Sequence, residues 1–406
     1  MRQLDVKNAF LHGNIKETVY MEQPPGFVNP DTPNHVCLLK KSLYGLKQAL
    51  RAWFDRLSTF LLHLGFFCST ADSSLFILKT SSITTLILIY VDDILVAGNN
   101  DSFIENLLQQ LSQEFAIKDL GPLHYFLGIE FICFKDGLFL TQQKYTNDLL
   151  SKTKMFGCKA IATPQVLKEK PPSSDDDIVD ATEFRSIVGA LQYLTFTRPD
   201  ITHAVNRACQ RFSKPTVTYL KAVKRILRYL KGTQNWGLRY LYNTSPSLYG
   251  FSDADWAGCP LTRRSTAGYC VFLGANCISW SSKKQATVAR SSTEAEYRSM
   301  AHTTAELTWI TYLFQDTGVS ISRAPQLFCD NISSLHMSVN PVFHARTKHI
   351  ELDYHFAREK VAMGALVTRY IPTSSQLADV FTKPLAKDPF VTFRSKLGVY
   401  PSPPTS

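Results

Sequence analysis

Two adjacent carboxylates, Asp92 and Asp93, follow Tyr90 and Val91 between the apolar runs LILIY and ILVA. Apolar runs on both sides make the pair the tip of a β-hairpin, where neighbouring carboxylates repel each other and lose hydration. A plain polar turn would favour Asn-Gly or Asp-Gly at that tip. Two aspartates suit a divalent cation instead, since magnesium takes a few carboxylate oxygens and leaves its other positions to phosphates and water. A second acidic set lies in the C-terminal half. Asp253 falls within the strand-like SLYGFSDADW, Glu296 in the first turns of a helix opening at SSTEAEYRSM, Asp330 at the strand end LFCDN, and Asp379 in a short helix at QLADVF. Ser291 and Glu294 are three residues apart in a capping-box arrangement, so Glu294 reads as a helix cap. Asp255 also reads as a solvated neighbour of Asp253, and Asp330 as the N-cap of a following helix.

These acids require scaffolds of more than one kind. At 406 residues, with 45% hydrophobic and 19% charged residues, the chain has globular composition and length for two or three domains. Residues 1–160 mix short apolar runs with Gly- and Pro-marked turns such as Pro24-Pro25-Gly26. Residues 162–181, rich in Pro, Ser and Asp, form a linker, and 182–240 are mostly helical. From Leu248 come three strands, a long helix over Ser292 to Asp316, a strand at Gln326–Cys329, helical segments, a strand over 365–371 and a short helix from Gln376. That order predicts a mixed sheet covered by helices, an α/β (α+β) fold. The closing PSPPTS reads as disordered.

Charge narrows the partners. The net charge is +10, and between Arg207 and Tyr240 nine Lys or Arg stand with no Asp or Glu. Lys221, Lys224, Arg225 and Arg228 recur at i, i+3, i+4 and i+7, while Leu220, Val223, Leu227 and Leu230 line another face. A single-sign stripe beside an apolar one suits a helix packed on protein and turned towards phosphates. Nine scattered cysteines without a CxxC pair exclude a disulfide framework and a structural zinc site, and point to a reducing compartment. The longest strongly apolar stretch, Thr85 to Val91, is too short for a bilayer, and MRQLDVKNAF lacks signal-peptide anatomy. A soluble intracellular protein is expected, with no membrane partner, placed in the cytoplasm, a virus-like particle or the nucleus.

Tyr90-Val91-Asp92-Asp93 resembles the reverse transcriptase signature. Its surroundings LIYVDDILVAG, with QLDVKNAFLHG, SLYGLKQALRAWF and HYFLGIEF, resemble the copia-type long-terminal-repeat retrotransposons in particular. The resemblance implies a partial reverse transcriptase palm in which Asp5, Asp92 and Asp93 hold two Mg2+ or Mn2+ ions about 3.5–4 Å apart. It implies that Phe10 lies beneath the sugar of an incoming deoxynucleotide triphosphate, and that Gly45, Lys47 and Gln48 line the nucleotide and template pocket. Position 50, usually Pro in the family, is Leu here. Phe126 to Glu130 resembles the primer-grip strands. SDADWAG, ISWSSKKQ, SSTEAEY and RTKHIELDYHF resemble the family's ribonuclease H, which implies that Asp253, Glu296, Asp330 and Asp379 bind two further metal ions and cut RNA in RNA–DNA hybrids. Cellular ribonucleases H carry a His shortly before the last Asp. Residues 366–378 contain none, and His349 and His355 read as structural or surface residues.

The expected organisation is a palm and the start of a thumb over 1–160, a linker and basic thumb or connection over 161–245, a ribonuclease H-like domain over 246–386, and a tail over 387–406. Met1 falls just before the first polymerase motif, so the fingers, integrase and protease regions that precede it in the family are missing and the chain reads as an N-terminally truncated, C-terminal Pol fragment. Two functions follow. One is RNA-directed DNA synthesis with hybrid-directed RNA hydrolysis, with RNA template and DNA primer as partners. The other is a catalytically impaired relic that binds nucleic acid. The sequence is silent on oligomeric state.

Overall fold

The computed structural model describes residues 1–168, 176–340 and 351–403, so His349 lies outside the described residues. The chain divides into two compact units, Met1–Phe126 with Tyr312–Val319, and Leu127–Thr311 with Ser320–Ser406. This differs from the boundaries expected at 160, 245 and 386, because strand pairing joins distant parts of the chain in the second unit.

In the first unit, strands Phe67–Cys68, Leu75–Lys79, Thr84–Tyr90, Asp93–Gly98, Arg2–Val6 and Ile117–Pro122 lie in that order in one antiparallel sheet. The runs flanking Asp92 are buried on alternate residues, Ile87 and Ile89 on one strand and Ile94 and Val96 on the next, so only one face meets the core. That face packs on helix Ala49–His63 through Trp53, Leu57 and Leu61, and on helix Asp101–Glu114 through Ile104, Leu107, Leu108 and Leu111. The second helix starts where Asn100 accepts the Phe103 N–H at 2.9 Å, an N-cap whose loss typically costs about 1 kcal/mol.

The second unit opens on a hairpin, Ile129–Phe134 with Gly137–Thr141. Gly137–Thr141 pairs onward with Trp236–Leu241, and that strand pairs with Val399–Pro401. Residues 387–401 are therefore integral to the fold: Lys387–Lys396 is a helix, and Phe390, Phe393, Leu397 and Val399 are buried. Beneath lies a helical core of Ala181–Leu194, Thr202–Cys209 and Val217–Lys231. Val223, Leu227 and Leu230 are buried in it, and Leu220 packs at its edge. A buried charge network locks these pieces together. Arg198 donates from Nε to Asp200 Oδ1 at 3.0 Å, from Nη2 to Asp200 Oδ2 at 2.8 Å and from Nη1 to the Thr233 carbonyl at 3.0 Å. Tyr229 donates to Asp200, and Arg394 of the C-terminal helix donates to Tyr229 at 3.1 Å while its guanidinium lies over Trp236. Such a satisfied buried pair fixes position more than it adds net stability.

The remaining sheet of this unit has the order Asn276–Lys284, Thr266–Leu273, Leu248–Asp255, Gln326–Cys329 and Val367–Tyr370. The first three strands are antiparallel and the last two join in parallel, the mixed sheet expected from the strand order. Gly268 faces the short 3-10 helix Leu377–Phe381. A Cβ there would stand 2.7 Å from both Phe381 Cβ and Thr382 Cγ2, so the missing side chain is what lets the segment carrying Asp379 close on the sheet. Gly268→Ala should destabilise the protein by about 1–3 kcal/mol in denaturant titration. Gly157→Ala, with open space around the added atom, should change it by no more than about 0.5 kcal/mol. Equal effects would remove the packing role of Gly268.

Candidate active sites

In the first unit, Asp5 is the register partner of Asp93 on adjacent antiparallel strands, which puts the two side chains on the same face, opposite the helices. Tyr90 pairs with Asp93, leaving Val91 and Asp92 as a two-residue turn. Val91 has φ 59°, a left-handed conformation that a β-branched residue adopts only when its surroundings impose it. The buried Trp53 supplies that restraint by donating Nε1–H to the Val91 carbonyl at 2.7 Å. Asp92 is exposed and Asp93 half-buried. Partial burial, followed by the charges of Asp92 and Asp5, holds the Asp93 carboxyl above its usual range, against a hydrogen bond from Gln3.

Phe10 lies on a 3-10 turn, Ala9–His12, after the strand that carries Asp5. Its half-buried ring meets Tyr44 edge-on at 4.8 Å. Gly45 has φ +94°, Lys47 is exposed, and Gln48 precedes helix Ala49–His63 as its N-cap. In the other unit, Glu130 accepts the Lys144 N–H at 2.9 Å, at the start of helix Gln143–Lys152.

The second unit gathers the other acids. Phe251 pairs with Phe328 on parallel strands, so two residues further on Asp253 and Asp330 reach the same end of the sheet. Helix Ser292–Thr317 brings Glu296 there in its second turn. The turn of Leu377–Phe381 brings Asp379. Asp253, Glu296 and Asp379 are buried, and Asp330 is half-buried. Burial, then Asp253 and Asp330, pushes Glu296 up to about 10. Burial, then Asp253, pushes Asp379 up to about 7 against the opposing effect of Lys383.

The surroundings hold these acids in place. Thr373 donates to Asp330 Oδ2 at 2.7 Å, the buried Gln376 donates to the Ser252 carbonyl at 3.0 Å, and Thr382 donates to Asp253 Oδ2. Lys383 Nζ lies 2.8 Å from Asp379 Oδ1 and 4.0 Å from Asp253 Oδ2. Glu296 Oε2 and Asp379 Oδ1 are, among the described residues, buried with no hydrogen-bond partner, and of the two only Asp379 Oδ1 has an ion pair, with Lys383. Among the described residues, Glu296, Cys329 and Asp330 present ligand atoms within 4.8 Å of one another. The orphaned carboxylate oxygen and the hard oxygen donors around it suit a divalent cation. Burial pushes the Cys329 thiol well up, so it is a neutral wall of this pocket.

Three alternative readings of single residues resolve. Glu294 accepts the Arg290 N–H at 2.7 Å while Ser291 Oγ accepts the Glu294 N–H at 3.2 Å, so Glu294 does cap the helix. Asn331, rather than Asp330, caps helix Ile332–Val339 by accepting the Ser334 N–H. Asp255 is not a solvated neighbour: burial pushes it up to about 7, against a hydrogen bond from the Thr266 N–H. His355 is exposed, 4.0 Å from Glu351.

The four stripe cations share one side of helix Val217–Lys231, but not one environment. Lys221 and Lys224 are exposed. Arg225 Nη2 donates to Thr163 Oγ1 at 2.9 Å and Arg228 Nε to the Lys159 carbonyl at 2.8 Å, so both arginines spend donors on their own chain. All four line a cavity of about 610 Å³ together with Arg207 and Arg211, which the stripe pattern did not single out because they lie on and just past helix Thr202–Cys209. Arg207 also acts electrostatically on Asp255, next to the acidic pocket. Cys329, Gln376, Thr382 and Lys383 were likewise unread. Only the last two had a usable signal, since three and four residues after Asp379 share a helical face.

Among the described residues, no helix is long and apolar enough to cross a membrane. Residues 1–167 match the family described as reverse transcriptase (RNA-dependent DNA polymerase). Over 406 residues the chain is 50% identical to the retrovirus-related Pol polyproteins of transposons RE1 and RE2 of Arabidopsis thaliana, and it spans 28% of the length of each. It is 33% identical over 309 residues to the putative transposon Ty5-1 protein of Saccharomyces cerevisiae, covering 75% of this chain and 100% of that protein. Among solved structures, the foamy viral protease-reverse transcriptase in complex with an RNA/DNA hybrid shares the fold with a TM-score of 0.51 at 12% identity, covering 95% of this chain and 45% of that one. With identity sustained over its whole length and the reverse transcriptase motifs in place, the chain belongs to the Pol family of copia-type retrotransposons.

Proposed function

We propose that this chain carries two metal-dependent sites acting on nucleic acid: a DNA polymerase site around Asp5, Asp92 and Asp93, and a ribonuclease H site around Asp253, Glu296, Asp330 and Asp379. The observation that carries the reading is the arrival of four carboxylates, from four separate elements, at one end of a mixed sheet with a buried Glu296 oxygen left unpartnered. Mg2+ or Mn2+ held by these acids would activate the nucleophile and neutralise charge on the reacting phosphate.

The chain's own groups supply the rest. Asp5 and Asp93 face the same side of their sheet, and the turn held by Trp53 presents Asp92 beside them, open to a triphosphate. Phe10, backed by Tyr44, forms a floor under a deoxyribose, where a 2′-hydroxyl would collide. Gly45, Lys47 and Gln48 line the template and nucleotide path. In the nuclease site, Thr373 and Gln376 orient Asp330, and Thr382 orients Asp253, so that the carboxylates face a water and the RNA phosphodiester. Lys221 and Lys224, with Arg207 and Arg211 across the cavity, bind the phosphates of an RNA–DNA hybrid.

Two measurements follow. The 406-residue chain should cut the RNA strand of a labelled hybrid with Mg2+ or Mn2+ and leave duplex DNA intact, and Asp330→Asn should lower that rate by roughly a hundredfold or more. Equal cutting by a folded Asp330→Asn variant would remove the nuclease assignment. Replacing Lys221, Lys224, Arg225 and Arg228 by Gln should reduce the slope of log affinity for hybrid against log salt by about 0.9 for each phosphate no longer neutralised. The Lys221 and Lys224 replacements should account for most of that drop, because both arginines are already engaged. An unchanged slope would make the stripe a solvated surface.

A further inference from the structure

Lys383 is the one cation with direct contact to the nuclease acids among the described ion pairs. It follows Asp379 by one helical turn, and its backbone N–H donates to the Asp379 carbonyl at 3.1 Å, so its base is fixed while its side chain reaches back over the site. The ammonium stands 2.8 Å from Asp379 Oδ1 and 4.0 Å from Asp253 Oδ2, between two acids that otherwise repel. Its side chain is 41% exposed, whereas those of Asp253 and Asp379 are 5% and 8% exposed. A retreat into solvent is therefore open to the lysine and closed to the acids. The preceding residue, Thr382, is buried and holds Asp253 by its hydroxyl. The two neighbours thus have complementary roles, one fixing an acid and the other balancing its charge.

We propose that Lys383 is a resident counter-ion of the nuclease site, which bridges Asp253 and Asp379 when no divalent cation is bound and swings out when one enters. The inference rests on the nuclease reading above. An ammonium carries a single charge on a flexible stem, so it offsets the charge of both carboxylates without fixing them in a rigid geometry. A divalent cation competes for the same carboxylates with twice the charge, and at such close range it repels the ammonium. Lys383 thereby keeps the acidic pocket assembled before metal arrives, and it lowers the metal affinity by competing for the site.

Amine footprinting on the full chain tests the movement directly. Acetic anhydride labelling read by mass spectrometry should modify Lys383 severalfold faster with Mn2+ than without. Lys387, exposed and outside the site, should label at the same rate in both. In a calorimetric titration, Lys383→Met should bind Mn2+ roughly tenfold more tightly than wild type, since a nearby like charge has been removed. Lys383→Arg, which retains the charge, should stay near the wild-type affinity. The footprinting arm needs no variant, so a poorly folded Lys383→Met leaves the proposal testable. If Mn2+ binds with a heat that Asp330→Asn abolishes, yet Lys383 labels equally with and without metal, the counter-ion proposal is wrong and the nuclease reading survives. If no Asp330-dependent Mn2+ binding is seen, both fall.

Discussion

Four carboxylates drawn from separate elements into one pocket repel each other, and burial strips hydration that their neighbours only partly replace. Much of the second unit's design answers that tension. A parallel register places Asp253 and Asp330 at a common sheet end, and a capped helix start positions Glu296. Gly268 leaves the gap through which the turn bearing Asp379 approaches. Thr373, Gln376 and Thr382 then donate hydrogen bonds to the acids or to the strand that carries one. Donors of this kind favour the charged form, whereas burial and mutual repulsion oppose it. Glu296, deepest in the conflict, is pushed furthest up and keeps one oxygen unpartnered. A pocket in that condition gains from a cation, as the metal-assisted phosphodiester hydrolysis proposed above requires.

The first unit meets the same problem more openly. Asp5, Asp92 and Asp93 sit on a sheet face and a turn where water relieves part of the repulsion. The cost moves to the backbone. Val91 occupies a left-handed conformation worth about 1–3 kcal/mol of strain, and the bond from Trp53 holds it there. Trp53 is buried against Phe115 and His12, so the turn is braced by the hydrophobic core beneath it. A strained turn on a packed support suits presentation of carboxylates to a charged substrate, because the turn need not reorganise when the substrate binds.

The elements that carry the acids were legible because apolar patterning marks their boundaries well, whereas the roles proposed for the acids, Asp5 above all, came from the family resemblance. The three strands after Leu248, the long helix and the short turn at Asp379 all formed within a few residues of expectation. What stayed hidden depends on contacts between distant residues. No local pattern announces that 137–141, 236–241 and 399–401 share one sheet, or that Arg394 completes a network begun at Arg198. The polar ending of the chain suggested a tail, yet Phe390, Phe393, Leu397 and Val399 preceding it are buried. The basic stripe was found, but not the hydrogen bonds that engage Arg225 and Arg228, since their acceptors lie on a segment about sixty residues upstream. Asp255 misled for the reason that burial cannot be read from a single Asp-x-Asp.

The central claim is that the buried acidic pocket is completed by a divalent cation, and thermal unfolding of wild type and Glu296→Gln with and without Mg2+ at matched ionic strength tests it most directly. A ligand bound only by the folded state at about a hundred times its Kd adds about 2.7 kcal/mol, a shift of several degrees in Tm. Wild type should show that rise with Mg2+. Glu296→Gln should unfold without metal at a temperature no lower than wild type, and Mg2+ should raise it by clearly less than wild type, since only the site around Asp5, Asp92 and Asp93 remains intact. A wild-type Tm indifferent to Mg2+, or an equal rise in Glu296→Gln, would contradict the account.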